Sequence, residues 1–140
     1  MKTAIKKNGY ILILVLMLGM IGSCTDESSN PTPASTDDRD KLVGAWLCSE
    51  GFGTPFTIEI SKLGDDRINI KNFSNFGANS NARCEVAGNS ITIPFQDVND
   101  LSVTTSATGS GIYSKTGSQE KITLNYIVDT DTFNNVICTK

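Results

Sequence analysis

Histidine is absent from this 140-residue chain. Its absence removes the usual general base at neutral pH, the Ser-His-Asp and Cys-His nucleophile pairs, and every histidine-ligated metal site. A basic excess is missing too: 12 Lys and Arg face 15 Asp and Glu, for a formal charge of −3. A nucleic-acid binder needs a positive surface to neutralise phosphates, so that class is not expected. The four cysteines show no CxxC spacing, which argues against a metal cluster. No apolar run reaches the ~20 residues of a membrane-spanning helix. After residue 24, apart from a possible short turn at 38–42, no stretch carries a 3.6-residue period. The length allows one small domain.

What is present begins with an address. Lys2, Lys6 and Lys7 precede the apolar run Tyr10–Ile21, and the small residues Gly22 and Ser23 follow it. A basic segment, a short apolar segment and small residues make a secretory signal over residues 1–23. The other reading of the run is a single-span anchor, for which it is short. Ile21-Gly22-Ser23-Cys24 resembles the lipobox of bacterial lipoproteins. That resemblance implies cleavage before Cys24, acylation of that cysteine, and a lipid-anchored, extracytoplasmic protein at the outer membrane or cell surface. Two or more acyl chains anchor stably, at ~0.8 kcal/mol per buried methylene. Three of the twelve bases leave with the signal, so nine remain against fifteen acids and the charge becomes −6. Such a surface is not drawn to anionic lipid by charge; the membrane is a partner through acylated Cys24.

Residues 25–38 (TDESSNPTPASTDD) hold no Val, Ile, Leu or aromatic residue, so 24–38 reads as a lipidated cysteine and a disordered tether. Asp26 and Glu27 resemble the acidic export signals of surface lipoproteins in Bacteroidetes-type bacteria; a solvated linker is the other reading. The domain is expected over 39–140, where the apolar period is two. Eight strands are predicted at 43–49, 55–62, 66–73, 82–87, 90–96, 101–113, 121–128 and 133–139, the sixth with a bulge or bend at Gly109. Gly88-Asn89 is the tightest turn and fits a two-residue hairpin. The fold class is all-β: an antiparallel up-and-down meander closed as a lipocalin-like barrel, or alternatively a β-sandwich. The predicted inward set is Trp46, Phe56, Ile58, Ile60, Ile68, Ile70, Val86, Ile91, Ile93, Phe95, Leu101, Val103, Ile112, Ile122, Leu124, Tyr126, Val128 and Val136. These side chains could fill most of a small barrel.

With Cys24 acylated, Cys48, Cys84 and Cys138 remain in an oxidising compartment. Cys48 and Cys138 end the first and last strands, which are neighbours in a closed meander; that pair is the candidate disulfide. Cys84 is in phase with Val86 and points inward. Three buried free thiols are the alternative. Catalytic candidates are few. Asp97 with Asp100 and Asp129 with Asp131 are paired carboxylates, but aspartate is also a common turn residue. Gly109-Ser110-Gly111 lacks the following Lys and helix of a phosphate loop. No catalytic residue, metal or cofactor is expected. The Asn-rich loop is a better candidate. Asn72, Phe73, Asn75 and Phe76 place aromatics among amides, which suits recognition of a protein or a sugar, and Phe52 could join them. The plain alternative is that Phe73 plugs one barrel end while the asparagines make turns. Loops 51–55, 72–81 and 114–120 form the predicted recognition surface.

Val43-Gly44-Ala45-Trp46 resembles the Gly-x-Trp opening of lipocalins and other calycins, which implies that Trp46 closes the barrel floor. The run Ile68-Asn69-Ile70-Lys71-Asn72-Phe73, then Ile91-Thr92-Ile93-Pro94 with Gln96, Gly109-Ser110-Gly111 and Ile122-Thr123-Leu124-Asn125-Tyr126 with Val128, resembles a family of small Bacteroidetes-type lipoproteins. That family implies a lipocalin-like β domain and brings no catalytic residues. Ser110-Gly111-Ile112-Tyr113 is similar to the Ser-Gly-x-x-Tyr motif of periplasmic lysozyme inhibitors, one residue shorter, and makes Tyr113 a candidate contact. The expected function is a membrane-anchored, non-catalytic binding module. Alternatives are a carrier of a small hydrophobic ligand and a lysozyme or protease inhibitor.

Overall fold

A computed structural model describes residues 37–51, 53–100 and 103–140. The signal segment, Cys24, tether residues 25–36, Phe52 and Leu101 therefore lie outside the described residues; Asp37 and Asp38, expected in the disordered tether, belong instead to the folded domain, held by Arg39, Lys62 and Gly88. The eight strands are β1 (Gly44–Ser49), β2 (Phe56–Leu63), β3 (Arg67–Lys71), β4 (Asn81–Ala87), β5 (Ser90–Asp100), β6 (Val103–Thr116), β7 (Gln119–Val128) and β8 (Asp131–Thr139). Each pairs antiparallel with its sequence neighbour, and β8 returns to β1 to close a barrel. Closure removes the two edges that an open eight-stranded meander would leave.

Local chemistry sets the turns. Ala87 pairs with Ser90, Thr116 with Gln119 and Val128 with Asp131, so three connections are two-residue hairpins. Gly88 (φ 58°) and Gly117 (φ 61°) take the left-handed conformation such turns require. Alternation then drives one face of each strand inward. Trp46, Ile58, Ile60, Ile68, Ile70, Ile91, Ile93, Ile122, Leu124, Tyr126, Val128 and Val136 are all buried in one contiguous cluster, with Cys84 among them. Cys48 and Cys138 are register partners on β1 and β8 and are joined by a disulfide.

Three members of the predicted inward set face out: Phe95 is 76% exposed, Val103 64% and Ile112 62%. Phe95 sits in a bulge of β5 between Ile93 and Gln96, where the extra residue inverts the phase and turns Val98 inward instead. Ile112 lies one step out of phase: Ala107, Gly111 and Tyr113 hold the inward positions of β6. Val103 lies where, among the described residues, β6 has only β5 beside it. The bend expected at Gly109 is absent, and β6 runs through it. A Cβ at Gly109 would lie 2.4 Å from Asn125 O, so the glycine permits a close approach of β7.

A strap across one end completes the barrel. Leu42 is buried, and its carbonyl accepts a 2.7 Å hydrogen bond from Trp46 Nε1. Arg39 Nη1 donates to Gly64 O at 2.8 Å, and Gly88 N donates to Asp38 Oδ2 at 3.0 Å, so the strap reaches two turns of that end. The connections β1–β2, β3–β4, β5–β6 and β7–β8 lie at the opposite end.

Candidate functional site

The β3–β4 connection is built around asparagine. Asn72 ends β3 because it turns into the left-handed region (φ 57°), which asparagine tolerates better than most residues. Its amide then staples the loop. Nδ2 donates to Thr57 O at 2.8 Å, and Oδ1 accepts from Gly77 N at 2.7 Å. Phe73 turns inward, 1% exposed, and packs on Tyr126 with ring centroids 4.7 Å apart. Tyr126 stacks on Phe133 at 5.0 Å. Ser80 Oγ closes the loop with a 2.9 Å bond to Phe73 O. Ser74 (φ 54°) and Asn75 (φ 59°) are also left-handed, so the loop is held against a local preference of about 1–2 kcal/mol per residue.

Outside this plug the wall is concave. Thr57, Glu59, Lys71, Asn72, Asn75, Gly77 and Ala78 line an open cleft of about 390 Å³. That is within the ~300–1,000 Å³ of small-molecule sites. Glu59 and Lys71 are register partners on β2 and β3, and both are exposed. Among the described residues neither is in an ion pair, and both side chains line the cleft. Asn75 is exposed as well, while the Asn72 amide is already spent on the loop. The cleft thus offers one acceptor charge, one donor charge and an amide, with no aromatic side chain in its lining.

A second polar cluster lies behind the plug. Tyr126 OH donates to Glu50 Oε1 at 2.5 Å. Burial, and then the Glu50 carboxylate, push the phenol above its ordinary pKa. Ser74 Oγ is buried and has no hydrogen-bond partner among the described residues.

Comparison with family models, curated proteins and solved structures finds no match for this chain. The site is therefore read from its own residues. Of the predicted recognition residues, Asn72 and Asn75 line the cleft, Phe73 is core, and Phe76 is half-buried against that core. Tyr113 is a correction. It is 6% exposed, packs edge-on to Trp46 at 6.3 Å and lies at the strapped end, because the odd positions of β6 face inward. Segment 114–120 is also corrected: β6 and β7 run to Thr116 and from Gln119, leaving a two-residue turn. Asp97, Asp129 and Asp131 are exposed, and among the described residues no cluster is arranged to hold a metal ion. Sequence reasoning missed Glu59 and Lys71. Their outward phase was legible, but their pairing needed the β2–β3 register.

Proposed function

We propose that this chain is a lipid-anchored, non-catalytic binding module, held at the outer membrane or cell surface through acylated Cys24. Its ligand is small and polar, with both donors and acceptors, and it binds outside the barrel. One observation carries this reading: a concave cleft on the outer wall, lined by Glu59, Lys71 and Asn75. The crowded inward face argues against the carrier alternative, since Trp46, Phe73, Ile58, Ile70 and Ile93 are each 0–2% exposed and interiors pack at crystal-like density. Buried Tyr113 removes the residue on which the lysozyme-inhibitor alternative leaned.

The binding test is native mass spectrometry of the protein purified from its host, followed by a glycan and small-metabolite screen. A retained polar ligand should be lost in Glu59→Ala and Lys71→Ala, whose exposed side chains can go without unfolding the barrel. A ligand that survives both changes would place recognition elsewhere. The anchor is tested separately: Cys24→Ser should release the protein from membranes.

A further inference from the structure

We propose that the outer edge of β5, over Phe95–Asn99, is a strand-addition site for an extended segment of another protein, with an apolar and a basic residue at alternate positions. The edge is open because β4 and β5 part early. Their pairing runs only from Ala87–Ser90 to Glu85–Thr92. Pro94 then brings no N–H, and the bulge before Gln96 steers β5 away. The Gln96 side chain substitutes for the missing main-chain bonds between β5 and β4. Its Oε1 accepts from Arg83 N and its Nε2 donates to Arg83 O, both at 2.8 Å. Past that clamp, β5 pairs with β6 alone among the described residues.

Backbone alternation says which groups are free. Tyr113 N donates to Asn89 O, and Ser106 O accepts from Asp129 N, so odd residues of β6 face β5 and even ones face away. Gln96 and Val98, opposite Ala107 and Thr105, therefore spend their main-chain groups on β6. Asp97 and Asn99 turn theirs to the open side. A row of unpaired N–H and C=O groups is a template for another strand. After the bulge, Phe95, Asp97 and Asn99 share the outer face and all are exposed.

The occupant follows from charge. Pairing of two copies along this edge would bring Asp97 close to its own counterpart, on chains that are already acidic. Like charges on paired strands are destabilising. A foreign segment with Lys or Arg beside Asp97 and an aliphatic residue beside Phe95 meets both side chains favourably. This edge is separate from the cleft, and its test does not depend on the cleft's ligand.

The probe is a blocked octapeptide with threonine at every second position and valine and lysine alternating between. Its binding to the full-length protein in detergent is read by fluorescence anisotropy. The lysine peptide should bind, and should slow hydrogen exchange at the Asp97 and Asn99 amides. Affinity should fall at least tenfold in Asp97→Lys, in Phe95→Ser and for the peptide with glutamate in place of lysine, while Ile112→Ser in the barrel wall leaves it unchanged. No binding at millimolar peptide, or equal affinity in Asp97→Lys, would overturn the proposal. So would self-association by sedimentation that the neutral change Asp97→Asn strengthens, since the edge would then serve a second copy.

Discussion

Gly109 and Gly111 decide the course of β6 by what they lack. A Cβ at Gly109 would lie 2.4 Å from Asn125 O and 2.7 Å from the Tyr126 Cα, both backbone atoms that cannot step aside. At Gly111 the nearest atom, at 2.6 Å, is Leu124 Cδ2, the tip of a side chain that can rotate. Overpacking a close-packed wall costs roughly 1–3 kcal/mol. Gly109→Ala should sit at the top of that range and Gly111→Ala near the bottom, read as the difference in urea midpoint at constant slope. Equal losses would mean that β7 yields at Asn125 after all. These glycines also explain the misreading of Ile112. Inward positions 109 and 111 carry no side chain, so the visible apolar residue was the outward one, and Tyr113 looked like surface. Cys84 was legible because its neighbours keep phase. Burial pushes its thiol up to about 12, and the thiolate is the reactive form. Iodoacetamide at pH 8 should leave Cys84 unmodified in the folded protein and alkylate it once urea unfolds the chain, as mass spectrometry would record. Modification of the folded protein at the unfolded rate would contradict the buried placement.

At the scale of elements, strands were readable and their interruptions were not. β2, β3 and β7 alternate without a break, and their predicted bounds fall within a few residues of the observed ones. β5 does not, because one extra residue at the bulge inverts every later side chain. The strap is the other illegible element. Its sequence is merely polar, yet Asp37 receives Arg39 at 2.7 Å and Lys62 at 2.8 Å, and Lys62 also reaches Asp40. The Arg39 guanidinium, and then Lys62, hold the Asp37 carboxyl well below its ordinary value of 3.8. A carboxyl lowered in the folded state stabilises it above the unfolded pKa, and that contribution is lost as pH falls through the folded one. The strap should therefore be fully held at pH 6 and weaken below about pH 4. Asp37→Asn should lower the thermal midpoint at pH 6 only slightly, since exposed ion pairs contribute little. The gap to the parent protein should close as pH drops from 4 towards 2. A gap that stays constant with pH would mean the ion pairs do not stabilise the strap.

The whole molecule depends on one seam. Seven of its eight junctions join neighbours in sequence, so each closes a short loop. The eighth joins β1 to β8 through only Leu47–Thr139, Cys48–Cys138 and Ser49–Ile137. Bringing these strands together orders nearly the entire domain, and loop-closure entropy opposes that step most. The Cys48–Cys138 disulfide spans 90 residues at this junction. On the chain-entropy account a loop of that size is worth about 4–5 kcal/mol, by restricting the unfolded chain. A domain of this length holds only about 5–15 kcal/mol in total. The double substitution Cys48→Ala and Cys138→Ala should therefore lower the stability extrapolated from urea by several kcal/mol. Both sulfurs are buried, so dithiothreitol should reduce the native bridge slowly, at a rate that rises with urea as the seam opens. Fast reduction without denaturant would show that β1 and β8 part on their own. A loss below ~1 kcal/mol in the double variant would show that the three backbone pairings and the Trp46 floor close the barrel without the bridge.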